Sequence, residues 1–322
     1  LAGCAIGDPA LMARARYAPH DGFIAPARLS AAPRLLLIGV FIVEAAYLAS
    51  AYLIDPFLAV FPLADPIEVS RGDTPRGLLV QLSSFIILAL AVLFVSRRLH
   101  GRGFISLIGP PRQALRQLLQ VSLFLGALVV IVEFVPPDPT LLDFADMRPL
   151  PQWLALLPLA LAALLIQTGA EELFYRGYIQ QQLAARFAQP WVWLVLPSLL
   201  FAMAHYRPDL PPVAAFQYLI WAFFFGLAAA DLTARSGTLG PAIGFHLVNN
   251  AMAFLVYGDA GAVDSGLALF LFPPIPMGEA MALADAMDPA GGMQDWLISP
   301  GFVIELAGIG LLWVGARIAI RR

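Results

Sequence analysis

The feature that most constrains this chain is a series of apolar runs, each near the length that crosses a bilayer. Eight recur, at residues 35–54, 77–95, 114–135, 153–170, 191–205, 213–234, 239–257 and 302–316. A spanning helix needs about 20 residues at a rise of about 1.5 Å each. Lipid offers no hydrogen-bond partner to a bare backbone, so such runs must be helices. The expected fold is therefore all-α, a polytopic membrane helix bundle of about eight transmembrane helices. The fifth and eighth runs are short, and the fourth continues past its charged end, so those boundaries are soft.

Composition closes the alternatives. With 322 residues the length alone would allow two soluble domains, but 60% of them are hydrophobic and only 13% charged. A water-soluble surface cannot be made from that mixture, and the bilayer is the first partner implied. The net charge of -3, with no basic surplus, argues against nucleic acid as a partner. A single cysteine, Cys4, excludes a disulfide framework and a zinc site built on thiolates.

All 19 basic residues are arginine, and their placement sets an orientation. With the N-terminus in the cytosol, fifteen fall on cytosolic segments and span ends, and four (Arg71, Arg76, Arg148 and Arg207) on the opposite side. That is a strong positive-inside bias. An even number of spans then returns the C-terminus to the cytosol, in a bacterial inner membrane. The organisation expected is a loosely ordered cytosolic tail over 1–34, three spans over 35–150 and a core of four motif-bearing helices over 151–257. An external acidic loop over 258–298 and a last span over 299–322 complete it. The loop carries Asp259, Asp264, Glu279, Asp285, Asp288 and Asp295 without an arginine. It reads as an external connection with an interfacial helix, a lid being the sharper alternative.

Ionisable groups inside a bilayer cost several kcal/mol, so each needs a reason. Glu44 reads as structural, and Glu133, Asp231 and Glu305 lie near span ends, with Asp231 able to pair with Arg235 one turn on. Glu171, Glu172, His205 and His246 remain. Adjacent residues on a helix differ by about 100°, so Glu171 and Glu172 cannot share a face. Glu172 and Arg176 are four apart and can pair, which leaves Glu171 pointing elsewhere. Phe201 and His205 share a face of the fifth run, as do His246 and Asn250 of the seventh. Hydrolysis needs the parts these helices offer: a base for water and donors for a developing oxyanion.

The motifs Glu171-Glu172-x-x-x-Arg176, Phe201-x-x-x-His205 and His246-x-x-x-Asn250, in this order on separate helices, resemble the CAAX protease and bacteriocin-processing (CPBP, or Abi) family of intramembrane proteases. The approach to the third motif, Arg235-Ser236-Gly237-Thr238-Leu239-Gly240-Pro241, looks similar too. The resemblance covers residues 153–257, about a third of the chain. It implies an endopeptidase acting on a membrane-associated or lipidated protein or peptide. It implies that Glu171 and His205 activate water, that His246 and Asn250 form an oxyanion hole, and that Glu172, Arg176 and Phe201 orient the site. A metal-independent, glutamate-type site without cofactor is the favoured expectation. The alternatives are a zinc site built on Glu171, His205 and His246, or an ion-coupled transporter using the same groups as a proton relay. One difficulty stands: Glu171 falls about 27 Å from the external start of its run and His205 about 21 Å from the cytosolic start of its own, and those depths do not match.

Overall fold

The computed structural model describes residues 16–134, 146–208, 210–273 and 298–322. In chain order the elements are α1 (Ala18–Ile24), α2 (Pro33–Val60), α3 (Pro66–Arg71), α4 (Pro75–Ser84), α5 (Ile86–His100), α6 (Phe104–Ile108) and α7 (Pro111–Phe134). Then follow β1 (Asp146–Met147), α8 (Leu150–Glu172), α9 (Gln181–Arg186), α10 (Pro190–Ala204), α11 (Pro212–Ser236) and α12 (Gly240–Ala251). β2 (Tyr257–Asp259), β3 (Phe270–Phe272) and α13 (Pro300–Ile320) complete the series. Among the described residues the eight apolar runs are largely helical, with 77–95 divided between α4 and α5 and 239–257 ending at the start of β2. Among the described residues six helical stretches are long and apolar enough to cross a membrane, and two shorter ones, Pro190–Ala204 and Gly240–Val256, accompany them. This is the all-α polytopic bundle of an integral, multi-pass membrane protein. Leu37, Phe41, Phe57, Phe94, Leu123, Leu159, Met203 and Ile304 point outward from it, a belt that only lipid satisfies.

The main departure from the sequence reading is the fourth span. The apolar run ends at Ala170, yet the helix continues to Arg186 and reaches 37 residues. Leu173–Gln180 winds as a π-helix, and α9 follows. The continuation carries Arg176, Gln180, Gln181 and Gln182 and is buried as far as Leu183, with partners for its polar side chains inside the bundle. Gln180 Nε2 donates to the Ala230 carbonyl on α11 at 2.9 Å. Gln181 Nε2 donates to the carbonyls of Phe23 at 2.5 Å and Ser106 at 2.8 Å. Gln182 lies 3.0 Å from His100 Nδ1. Satisfied in this way, polar groups are tolerated at depth.

This extension removes the depth conflict. Fifteen residues separate Glu171 from Arg186, and fifteen separate Pro190 from His205. At 1.5 Å per residue each path is about 22 Å. The chain turns at Phe187–Gln189 and brings the two residues to the same level. Arg176, assigned to the cytosolic end, is instead fully buried beside Glu172, and Arg102 and Arg235 are buried too.

Two other expectations change. Residues 1–15 of the tail lie outside the described residues, but 18–30 form α1 and a 3-10 turn rather than a loose segment. Phe23, Ile24 and Ala27 are buried there, the His20 ring lies 4.7 Å from Trp193, and Tyr17 donates to Asp231 at 2.7 Å. Burial and the Asp231 carboxylate push the Tyr17 hydroxyl up to about 12. The first part of the 258–298 segment is not helical. β2 and β3 pair in parallel, and β3 pairs with β1 antiparallel, giving the order β1-β3-β2. Residues 274–297 of that segment lie outside the described residues. The small sheet seats on the bundle through Trp153 Nε1, which donates to the carbonyls of Leu255 at 3.0 Å and Leu267 at 3.1 Å.

Helix α12, the carrier of the third motif, lies tight against α7. A Cβ at Gly240 would run into the Ala114 carbonyl, and one at Gly244 would stand 2.9 Å from the Leu118 carbonyl. Small residues at these positions let the two backbones approach, as membrane helix packing requires.

Candidate active site

The site assembles on α8, α10, α11 and α12. Glu171 and Glu172 end the regular part of α8, and the π-helix begins at the next residue. A second π-helix, Met252–Val256, begins two residues after Asn250. Such wide turns often mark functional positions in helices, and the sequence carries no signal for them.

Glu172 is fully buried, and its Oε1 accepts from two donors. Arg176 NH1 lies at 3.0 Å, as the four-residue spacing implies, and His246 Nδ1 at 2.9 Å. The second partner was not legible from spacing, because it comes from α12. Arg176 NH2 also donates to the Gly226 carbonyl at 3.0 Å. Its guanidinium carbon lies 4.7 Å from the centre of the Phe201 ring, within cation–π range. Phe201 therefore joins the parts: its ring is 4.1 Å from that of His205 and 6.0 Å, edge-on, from that of His246.

Glu171 meets the opposite edge of the same His246 ring and makes no ion pair with Arg176. Its Oε1 accepts from Gln167 Nε2 at 2.9 Å. Its Oε2 is buried without a hydrogen-bond partner and lies 3.6 Å from His246 Nε2, beyond hydrogen-bonding range. Gln167 Oε1 in turn accepts from Asn250 Nδ2 at 2.8 Å, and Asn250 Oδ1 accepts from Asn249 Nδ2 at 3.1 Å. Sequence reasoning missed Gln167. Its signal was the same four-residue spacing, 167 to 171, that paired Glu172 with Arg176.

The tautomers follow from the partners. His205 Nδ1 lies 2.8 Å from the Phe201 carbonyl. A carbonyl only accepts, so Nδ1 carries the hydrogen and Nε2 is left as an acceptor in the neutral ring. A carboxylate likewise only accepts, so His246 Nδ1 donates to Glu172, and Nε2 can donate as well only in the imidazolium. Two carboxylates and one guanidinium leave the buried cluster one charge negative, which an imidazolium at His246 would cancel.

Glu171, Glu172, Arg176, Phe201, His246 and Asn250 thus come together. His205 joins them through Phe201 and makes no hydrogen bond or ion pair with Glu171. A zinc site would need Glu171, His205 and His246 around one point. Among the described residues no group of three or more His, Cys, Asp or Glu is close enough to hold a metal ion, so the donor set as arranged does not fit that alternative. A cavity of about 470 Å³ lies between α10, α11 and α13, near Asp231. The Asp231 carboxylate is closed off by Arg235 at 2.6 Å, Trp313 at 3.0 Å and Tyr17. Asp231 and Arg235 are a structural pair, as their spacing implies.

Buried carboxylates and an imidazole thus meet on neighbouring helices of the bundle, with a second imidazole beside them, groups able to act as acids and bases. Residues 152–252 match the family model of the type II CAAX prenyl endopeptidases, Rce1-like. The match encloses all three motifs. A 145-residue stretch is 27% identical to the uncharacterized protein YyaK of Bacillus subtilis (strain 168). That alignment covers 43% of this chain and 46% of YyaK, so the chain spans about half the length of that relative. No solved structure matches the chain.

Proposed function

We propose that the protein is an intramembrane endopeptidase that hydrolyses a peptide bond of a membrane-associated or lipidated substrate, with Glu171 as general base and no metal. The observation that carries this reading is the division of labour within one carboxylate. Oε1 of Glu171 is held by Gln167, whereas Oε2 is buried without a hydrogen-bond partner, 3.6 Å from Nε2 of His246. The nearest guanidinium, which would otherwise neutralise Glu171, is engaged by Glu172.

In the reaction Glu171 Oε2 takes a proton from water, and the resulting hydroxide attacks the scissile carbonyl carbon. The Nε2 of His205, an acceptor, holds the other water hydrogen. Charge develops on the carbonyl oxygen. It is met by Nε2–H of His246 as imidazolium, stabilised by Glu172 through Nδ1, and by the second hydrogen of Asn250 Nδ2. Collapse of the tetrahedral intermediate breaks the C–N bond as Glu171 returns its proton to the leaving nitrogen. Burial supports the scheme, since donors fixed in a dry site act strongly and need no reorganisation. The orientation proposed with it, both termini in the cytosol of a bacterial inner membrane, rests on the arginine distribution.

The test is cleavage of a prenylated CAAX peptide, beside its unprenylated form, by the protein reconstituted in liposomes. Cleavage by the wild type that is lost in Glu171→Gln is expected, and a strong chelator should leave the rate unchanged. Turnover retained in Glu171→Gln would overturn the assignment. Loss of activity on chelation, restored by zinc alone, would overturn the metal-free mechanism.

A further inference from the structure

Gln167 lies one turn before Glu171 on α8, is buried, and bonds across to α12. No motif includes it. Its amide has two distinguishable ends, and the neighbours decide which end points where. An ionised Glu171 can only accept, so Nε2 of Gln167 must face it. Oε1 must then face Asn250, and Asn250 meets it with its own Nδ2. The last link, Asn249 Nδ2 to Asn250 Oδ1, runs in the same sense. The result is a one-way chain in which Asn249 donates to Asn250, Asn250 to Gln167, and Gln167 to Glu171. Reversing any amide would set two acceptors or two donors against each other.

Resting on the endopeptidase reading above, we propose that Gln167 is a positioning residue that fixes the general base and the oxyanion donor as one unit. By occupying Oε1 of Glu171 it reserves Oε2 for the proton taken from water. By accepting one hydrogen of Asn250 Nδ2 it aims the other at the developing oxyanion. Gln167 acts through Glu171 and Asn250, the two groups it bonds. The two bonds cross the α8–α12 contact, so a shift of either helix is felt at both catalytic groups together.

Gln167→Met keeps the side-chain length and removes both hydrogen bonds. In the reconstituted cleavage assay it should lower kcat by about 10–100-fold, the scale of a catalytic group misplaced by about 1 Å, with KM nearly unchanged. Combined with Asn250→Ala, it should cost much less than the product of the two single effects, because both act through one unit. Unchanged kcat, or full multiplication with Asn250→Ala, would overturn the proposal. Gln167→Glu is the second variant, for the case in which the methionine variant is poorly folded. It keeps an acceptor for Asn250 and can donate to Glu171 only when protonated, so its rate relative to wild type should rise as pH falls. A profile parallel to wild type would point to a purely structural role and sink the idea. Glu171→Gln is assayed alongside. Activity surviving in that variant would count against the endopeptidase reading, whereas an inactive Glu171→Gln beside an unaffected Gln167→Met would count against the role of Gln167 alone.

Discussion

Glu171 and Glu172 are neighbours in sequence but stand about 100° apart around the helix axis; both reach the His246 ring, at its two different nitrogens, and their other partners differ. Each has one buried oxygen, Oε2, without a hydrogen-bond partner, but Glu172 is paired with the Arg176 guanidinium and His246, whereas Glu171 is held by a neutral amide with its Oε2 3.6 Å from His246 Nε2. Glu171→Gln should therefore preserve expression and thermal stability while abolishing turnover. Asn250→Ala should retain more, losing about 10²–10³-fold in kcat, as for one oxyanion donor. Neutralising Glu172 alone leaves the Arg176 guanidinium buried and uncompensated, a loss of about 3–5 kcal/mol. Removing both charges, as Glu172→Gln with Arg176→Met, should recover much of the stability, measured as the midpoint of thermal aggregation in detergent. It should not recover activity, because His246 would still lack its carboxylate partner. Two singles whose losses simply add in the double variant would show that the pair is not coupled.

At the scale of the element, the motif spacings were legible because charge at depth stands out against an apolar run. Glu172–Arg176 and Asp231–Arg235 follow from the four-residue repeat of a helix face. Gln167 obeys the same spacing but, being neutral, raised no alarm. The length of the fourth helix was misread for a related reason. Polar residues after Ala170 imitate the end of a span, and only the tertiary partners of Gln180, Gln181 and Gln182 show that the helix goes on inside the protein. The seat of α12 on α7 is equally a packing fact. Gly244→Val should drive α12 off the Leu118 carbonyl and displace His246 two residues on, at a cost of about 1–3 kcal/mol for overpacking, with turnover falling further than stability alone explains. The docking of α1 is also invisible in composition. Burial holds His20 down at about 3 against an ordinary 6.5, so it is neutral when docked. A depressed histidine contributes stability that is complete above 6.5 and is lost as pH falls from 6.5 toward 3. Hydrogen exchange over residues 16–30 should therefore accelerate on acidification through that window, and His20→Phe should flatten the dependence. Exchange that is independent of pH, after correction for intrinsic rates, would place His20 in water.

Across the whole molecule, apolar runs were enough to specify a membrane bundle, because lipid permits so few backbone solutions. They did not specify the small sheet at one end, whose strands are two or three residues long and depend on contacts between distant segments. Orientation is a property of the whole chain as well. A reporter fused after Arg322 that is active in the cytosol and silent in the periplasm is the outcome expected from the arginine distribution, and the reverse would contradict the even-span topology. The central claim is that this bundle cleaves membrane-associated proteins with Glu171 as the base. Its most direct test compares the peptide termini of membrane proteins, by quantitative proteomics, in cells expressing the wild type or Glu171→Gln at equal levels. The account predicts at least one membrane-associated protein whose truncated form appears only with the wild type and whose intact form accumulates with the variant. Identical termini in the two membranes, with both proteins folded and equally abundant, would contradict it.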